Sequence, residues 1–394
     1  VFDNTLVNNY LNAMNLSGVD IVEIGFRFTP KSKFLGPYAY TTDTFLESLT
    51  LPERLTYAVM VNAKDYCSCD CVAAEIRKAF DYQRNSRVSI VRIAITLEEL
   101  PTTRLVVDAL IELGYTVFIN VMQITNISEE QLAKTSKEIA EWGTVQVLYF
   151  ADSLGNLTPS HTENIVDIIG REWAGDLGIH AHNNKERGLV NTISAAEAGV
   201  RYLDSTILGM GRGAGNASTE GLLVELNAKG RSDYYPDAVF PLVLHEFSDL
   251  KKKYNWGPNL YYFLSATYGI HPTYIQQMLG ETYSTDQVLN GVKSLRSAGA
   301  SLFSLDEMSR AISGSGGSVE GSWSAKDWCR DRDIVIIGTG PSVEAHIDQI
   351  SRFSRERDAA VLCLNINSVV PVEIISAFVA CYETRILVQA AQYS

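Results

Sequence analysis

The chain has 394 residues, 46% of them apolar and 20% charged, with a formal net charge of −13. That length exceeds one ordinary domain and accommodates a barrel of ~250 residues plus a smaller unit, and the composition supports a sizeable core, which excludes disorder as the default. The negative charge, with a pI near 5.0, argues against nucleic acid or an anionic membrane surface as partner, because Lys251, Lys252 and Lys253 form only a short solvated run.

The sequence opens at Val1 on a stretch that already reads as a helix, so an upstream segment is expected. Seven β-branched runs follow, at 21–26, 55–62, 89–95, 116–122, 145–152, 176–183 and 201–209, with amphipathic helical stretches such as 128–142 and 186–199 between them. This alternation is the pattern of repeated βα units around a parallel sheet. Polar residues sit at or near the C-terminal end of nearly every run: Glu23, Arg27, Asn62, Arg92, Asn120, Gln123, Asp152, His180, His182 and Asp204. A (β/α)8 TIM barrel builds its active site at that end, whereas an open sheet gathers its ligands at one switch point. Seven runs and one expected upstream strand make eight. The barrel domain is assigned to 1–231.

Beyond it, 232–312 reads as a helical extension rich in aromatics. The Gly/Ser stretch 313–322, within a segment 313–332, has no apolar face to bury and reads as a linker. Strand patterns at 333–338 and 359–365, with Gly338-Thr-Gly340-Pro-Ser342 and a helix between them, begin a Rossmann-like α/β unit over 333–394. Val343 stands where the dinucleotide fingerprint would have its third glycine, so a plain βα turn competes with a phosphate site. No apolar stretch reaches the ~18 residues of a membrane helix. Six cysteines without an even framework fit a reducing compartment, the cytoplasm. Cys67-Ser-Cys69-Asp-Cys71 is spaced too tightly for the usual zinc patterns and reads as free thiols in a loop.

The chemistry is carried by Gly178-Ile-His180-Ala-His182-Asn183. Strand side chains two apart point the same way, so both imidazoles face the barrel mouth and form half of a metal site. The competing reading is a pair of buried, hydrogen-bonded histidines. After the next run comes Gly209-Met-Gly211-Arg-Gly213-Ala-Gly215-Asn216, whose glycines allow a tight turn beside a ligand and bring the Asn216 amide toward the His pair as a third donor. Nitrogen and oxygen donors suit Mn²⁺ or Mg²⁺, and the imidazoles also permit Zn²⁺ or Co²⁺. Arg27, Arg92 and Asp152, at strand ends, are candidates for holding the substrate. For the arginines a barrel salt bridge is the alternative.

His180-Ala-His182-Asn183, Asp204-Ser-Thr-Ile-Leu-Gly209-Met-Gly211 and Gly213-Ala-Gly215-Asn216 together resemble the barrel metallolyases. That hydroxymethylglutaryl-CoA lyase-like family includes 4-hydroxy-2-oxovalerate aldolase and the isopropylmalate and homocitrate synthases. The resemblance spans about residues 1–230 and is specific in the last two strands. It implies that His180 and His182 ligate a divalent metal with Asn216 beside them, and that Glu23 orients a catalytic arginine. It also implies an Arg-Asp pair followed by Gly on the first strand. That motif is not in the sequence and is expected to precede Val1.

The implied reaction is an aldol cleavage or condensation of a 4-hydroxy-2-oxo acid, giving pyruvate and an aldehyde through a metal-stabilised enolate. Tyr261 and Tyr262, by their position in the extension, are candidates for the base, against a role as core aromatics. An acyl-CoA-dependent Claisen synthase is the main alternative; Gly213 before Ala214 keeps the aldolase-like loop, while Arg212 departs from its usual small residue. A non-catalytic barrel scaffold with a nucleotide- or partner-binding tail is the alternative of another class. The resemblance further implies an aldehyde dehydrogenase as a partner, or a homo-oligomer.

Overall fold

A computed structural model describes residues 2–30, 34–280, 283–312, 326–365 and 369–379. The expected linker at 313–322 lies outside the described residues. Two compact units divide between Gln276 and Gln277. The division falls within the expected helical extension, because its first, aromatic half packs on the barrel loops.

The first unit is a parallel sheet of seven strands in chain order: β1 (Ile21–Phe26), β2 (Thr56–Asn62), β3 (Val88–Ile95), β4 (Thr116–Val121), β5 (Val147–Asp152), β6 (Asp176–Ala181) and β7 (Tyr202–Leu203). Every neighbouring pair is parallel. Helices longer than two turns cover the outside: α1 (Asn4–Leu16), α2 (Val72–Ala79), α3 (Leu100–Glu112), α4 (Glu129–Trp142), α5 (Pro159–Glu172), α6 (Gly188–Glu197) and α7 (Thr219–Ala228). Their boundaries follow local chemistry. Ser128 and Gln131 form a capping box at the start of α4, and Gly143 ends it in the left-handed conformation.

The strands are buried on both faces, which is why they read as near-continuous apolar runs. Outward side chains such as Val91, Ile93 and Ile95 are fully buried against the helices, each contributing about 1.5–3 kcal/mol by removal from water. Inward, Ala58, Ile90, Phe118, Val147 and Tyr149 form a separate cluster, with Ile21 and Tyr202 packed against it. Because strand side chains alternate, the next inward positions toward the C-terminal end are Glu23, Arg92, Asn120, His180 and Asp204. The apolar plug is thus the floor of a polar layer.

β7 is much shorter than its sequence run. After Asp204 the chain bends away: Leu208 has φ 51, and Thr206 N–H bonds the Ala217 carbonyl instead of a strand neighbour. Helices α8 (Ser248–Tyr254), α9 (Leu260–Thr267) and the start of α10 (Pro272–Gly280) complete this unit. Among the described residues no helix is long and apolar enough to cross a membrane.

The second unit contains α11 (Thr285–Ala298), α12 (Leu305–Ile312) and a three-stranded parallel sheet, β8 (Ile334–Ile337), β9 (Ala360–Leu364) and β10 (Ile375–Val379), in the order β10-β9-β8. Helix α13 (Ser342–Glu356) joins β8 to β9 as a βαβ crossover. The order and the helix agree with a Rossmann-like start.

Candidate active site

His180 stands on β6 in the polar layer. Its Nδ1 lies 2.8 Å from Oδ2 of Asp204, the residue two places beyond Tyr202. With Nδ1 carrying the proton toward the carboxylate, Nε2 is left as a lone-pair donor. His182 lies one residue past the end of β6, in an antiparallel bridge with Asn216. The two imidazole centroids are 5.1 Å apart with planes at 83°, so the spaced pair does converge.

The Gly-rich loop is stitched to that strand end. Asn183 N–H bonds the Gly215 carbonyl at 2.9 Å, Asn216 N–H the Gly209 carbonyl at 3.0 Å, and Ala217 N–H the Ala181 carbonyl at 3.1 Å. Gly215 has φ +76, and a Cβ there would sit 2.1 Å from the Gly209 oxygen, so only glycine fits. The Asn216 side-chain nitrogen donates to the Met210 carbonyl at 3.2 Å. That commits the amide's nitrogen and leaves Oδ1 as a free acceptor.

Arg92 is the hub of the layer. Its Nη2 donates to Glu23 Oε1 at 2.8 Å and its Nε lies 2.7 Å from Glu23 Oε2. Nη1 reaches Asp204 Oδ2, and the guanidinium lies over the Tyr149 ring, 4.9 Å from its centroid. A chain of contacts therefore runs from Glu23 through Arg92 and Asp204 to His180. Burial would raise the Asp204 carboxyl, but Arg92 and His180 outweigh it and bring it down to about 2. Burial disfavours charge on Arg92, yet Asp204 and Glu23 hold its pKa well above the ordinary value. Burial and the neighbouring His180 lower His182 to about 3, against a partial pull from the Ser153 and Asp152 carbonyls. It is therefore neutral, as a metal ligand must be.

The remaining expected residues fall into two groups. Tyr262 is buried beside the loop; a Cβ on Gly213 would meet its ring at 3.0 Å. Burial raises its hydroxyl pKa while Arg212 lowers it. Tyr261 is half-buried on the adjacent side of α9. Trp256 anchors the extension by donating from Nε1 to the Leu208 carbonyl at 3.1 Å.

Arg27 and Asp152 are engaged elsewhere. Arg27, 2% exposed, makes a two-pronged pair with Asp43 at 3.1 and 3.2 Å and bonds the Thr41 carbonyl at 3.0 Å. Asp152 follows the outward parity of Leu148 and Phe150, and its carboxylate accepts the backbone N–H groups of Asn156 and Leu157 at 3.0 and 3.2 Å. Burial lifts it to about 6 despite those bonds. Arg27 is not brought to the His pair; Asp152 meets it through its backbone carbonyl at His182, while its carboxylate caps the loop.

Asp204 is the participant to which sequence reading gave no role, beyond its place at a strand end and at the head of the motif running to Gly211. Counting inward positions from Tyr202 would have found it. Among the described residues no three His, Cys, Asp or Glu side chains converge as a metal site. Asn216, bridged to His182, has its amide oxygen available as a third donor. Two imidazole nitrogens and an amide oxygen, with a carboxylate that orients one imidazole, fit a divalent cation. Cys67, Cys69 and Cys71 are free thiols.

Comparisons with known proteins bear on the fold and the family. The HMGL-like family pattern matches residues 53–250, 198 of the 394 residues and just over half of the chain. A 4-hydroxy-2-oxovalerate aldolase of Rhodococcus opacus is 32% identical over 157 residues, 40% of this chain and 44% of that protein. The chain thus spans under half the length of that curated relative. An oxaloacetate decarboxylase of Mycobacterium tuberculosis is 26% identical over 228 residues, 57% of this chain and 64% of that protein. Among solved structures, the N-terminal domain of a candidate aldolase from Bacteroides vulgatus superposes with a TM-score of 0.62 at 28% identity, covering 73% of this chain and 93% of that one. With seven parallel strands in chain order and a family match over half its length, this chain belongs to the HMGL-like family of TIM-barrel proteins.

Proposed function

We propose that this chain carries the barrel of a divalent-metal-dependent aldolase that makes or cleaves a 4-hydroxy-2-oxo acid, with pyruvate and an aldehyde as the other side of the reaction. The observation that carries the reading is the His180–Asp204 contact of 2.8 Å, which occupies Nδ1 and leaves Nε2 as the ring nitrogen available to an ion beside a neutral His182. His180, His182 and Asn216 would hold the ion. Mn²⁺ or Mg²⁺ suits a mixed nitrogen and oxygen donor set, with Zn²⁺ or Co²⁺ as the other options. When bound, such an ion supplies positive charge to the carboxylate and 2-oxo oxygens of pyruvate and so stabilises the enolate.

The chain's own residues supply the rest. Glu23 fixes Arg92, and Arg92 fixes Asp204, so His180 is held in one tautomer and orientation. Tyr262, buried beside the Gly-rich loop, is the candidate to take and return the hydroxyl proton of the aldol at its phenolic oxygen. The aldolase name of one relative and the decarboxylase name of another share a pyruvate enolate, and the HMGL-like match supports that chemistry. The free cysteines among the described residues fit a cytoplasmic enzyme.

The test uses the full-length protein with Mn²⁺ and 4-hydroxy-2-oxovalerate, coupling released pyruvate to lactate dehydrogenase. Oxaloacetate, and acetyl-CoA with thiol detection, are run in parallel. Pyruvate from the hydroxy-oxo acid, lost in His180→Ala and His182→Ala together with bound metal, is the expected result. Thiol release without pyruvate would move the assignment to a Claisen synthase. Metal binding unchanged by both substitutions would remove the site altogether.

A further inference from the structure

One polar side chain of the inward layer has no part in the contacts around Arg92. Asn120 stands on β4 two residues beyond Phe118, which belongs to the apolar floor. The alternation of a strand therefore turns Asn120 into the barrel, while its neighbours Ile119 and Val121 are buried outward in the main core. Asn120 is 4% exposed, and among the described residues its Oδ1 is buried without a hydrogen-bond partner. Strand register brings a second amide near it. Asn62 of β2 is level with Ala94 of β3, and Ala94 is level with Asn120. Counted from the floor residues Ala58 and Ile90, Asn62 and Ala94 also face inward. Two amides thus flank one small side chain in a single row, their backbones about 9–10 Å apart.

A buried amide oxygen without a donor costs free energy that nothing in the fold offsets. Strands also disfavour asparagine, so neither packing nor propensity accounts for this residue in β4. What it offers is an acceptor held ready for a donor that arrives with a ligand. β5 lies between β4 and β6, so Asn120 is two strand spacings, about 9–10 Å along the sheet, from the strand that carries His180. The group it meets is therefore not one of the oxygens that an ion on the His pair would chelate. Glu23, Arg92 and Asp204 leave the layer with a net negative charge, which opposes an anion there and leaves a neutral hydroxyl as the fitting donor.

We propose that Asn120, with Asn62 across Ala94, binds a hydroxyl group on the aldehyde half of the substrate, so that the preferred aldehyde is hydroxylated and uncharged. The hydroxyl donates to Oδ1 of Asn120, and the Asn62 amide offers a donor from the other side of Ala94. The assignment of that hydroxyl to an aldehyde rests on the aldolase reading.

The test runs the condensation with pyruvate and Mn²⁺ on the full-length protein. It compares kcat/KM for propanal with that for 2-hydroxypropanal and 3-hydroxypropanal, each of which adds one hydroxyl to the same carbon chain. At least one hydroxyaldehyde is expected to exceed propanal about tenfold or more, as a site built to hydrogen-bond a substrate hydroxyl does. Asn120→Ala should bring that ratio close to one and Asn62→Ala should lower it in part, with Mn²⁺ affinity by calorimetry unchanged in both. A ratio near one in the unsubstituted protein, a ratio that survives Asn120→Ala, or a loss of Mn²⁺ affinity in that variant overturns the proposal. Stability gives a readout independent of turnover. Asn120→Leu replaces the unpaired amide by an apolar group of similar shape and should raise the urea midpoint of the ligand-free protein in EDTA. An unchanged or lowered midpoint shows that the fold itself uses the amide, and it overturns the proposal whatever the kinetics. Absence of condensation with all three aldehydes is a separate result, which refutes the aldolase reading and removes the proposal with it.

Discussion

Asp204→Asn is the most informative single perturbation, because one oxygen of that side chain serves both His180 and Arg92. The substitution keeps shape and removes charge. A carboxyl brought from 3.8 to about 2 by folding contributes about 2 kcal/mol to stability at neutral pH. The folded pKa is the lower one, so this contribution is complete above about 4 and is lost as pH falls toward 2. Arg92 retains Glu23 at 2.7 and 2.8 Å and is not left as a bare buried charge, which keeps the loss near that figure instead of the ~3–5 kcal/mol of a broken buried pair. Urea unfolding of both proteins in EDTA, from pH 7 down to pH 3, reads the difference directly. It should be about 2 kcal/mol at pH 7 and shrink through the acid range. Metal affinity is the second readout: loss of an orienting carboxylate behind a histidine ligand typically costs ~10–100-fold, measured by Mn²⁺ calorimetry. A variant as stable as the unsubstituted protein at pH 7, with unchanged Mn²⁺ affinity, would refute the claim that Asp204 holds His180.

Other perturbations reach different parts of the same site. Gly215→Ala puts a Cβ 2.1 Å from the Gly209 oxygen at φ +76 and should destabilise by about 1–3 kcal/mol, with a larger proportional loss of Mn²⁺ affinity because the loop carries Asn216; calorimetry checks it. Arg27→Ala should cost about 3–5 kcal/mol in urea unfolding and leave the Mn²⁺ affinity unchanged; a raised pyruvate KM without loss of stability would return Arg27 to the substrate. Asp152 is held up at about 6 against 3.8, so the folded state disfavours its ionised form and stability should fall as pH rises from about 4 through about 6. Asp152→Asn should flatten that slope in unfolding curves across the same window.

Much of this arrangement was legible in the sequence. The strand runs at 21–26, 116–122 and 176–183 correspond closely to β1, β4 and β6, since strands buried on both faces leave a continuous β-branched signal. The His pair was readable because period-two alternation acts within a single strand. Pair contacts between distant strands were not. Nothing near Arg92 in sequence announces that Glu23, 69 residues earlier, and Asp204, 112 residues later, will meet its guanidinium. Arg27 looked equivalent to Arg92 at a strand end, but β1 is irregular between Glu23 and Gly25, and Arg27 is paired with Asp43. Asp152 ends β5 on its outward parity, where its carboxylate caps a loop. The last strand was read too long because the sequence 201–209 remains β-like in composition, while its backbone N–H groups are claimed by the loop that carries Asn216.

The order of layers along the barrel axis explains why these residues belong together. Aromatic and aliphatic side chains seal the floor; two residues further along the strands, about 6–7 Å at the rise of a parallel sheet, Glu23, Arg92 and Asp204 carry one net negative charge. His180 stands in that same layer, and the neutral His182 comes next. A divalent ion on those imidazoles and a pyruvate carboxylate would bring the sum of all five charged groups to zero, so the proposed enolate would have its charge opposed by groups already in place. Replacing Arg92 by a neutral residue would leave two buried carboxylates in contact with the metal layer, favouring the ion and opposing the enolate. Arg92→Met should therefore bind Mn²⁺ at least as tightly as the unsubstituted protein while losing turnover; weaker Mn²⁺ binding with intact turnover would show that the layer is only structural.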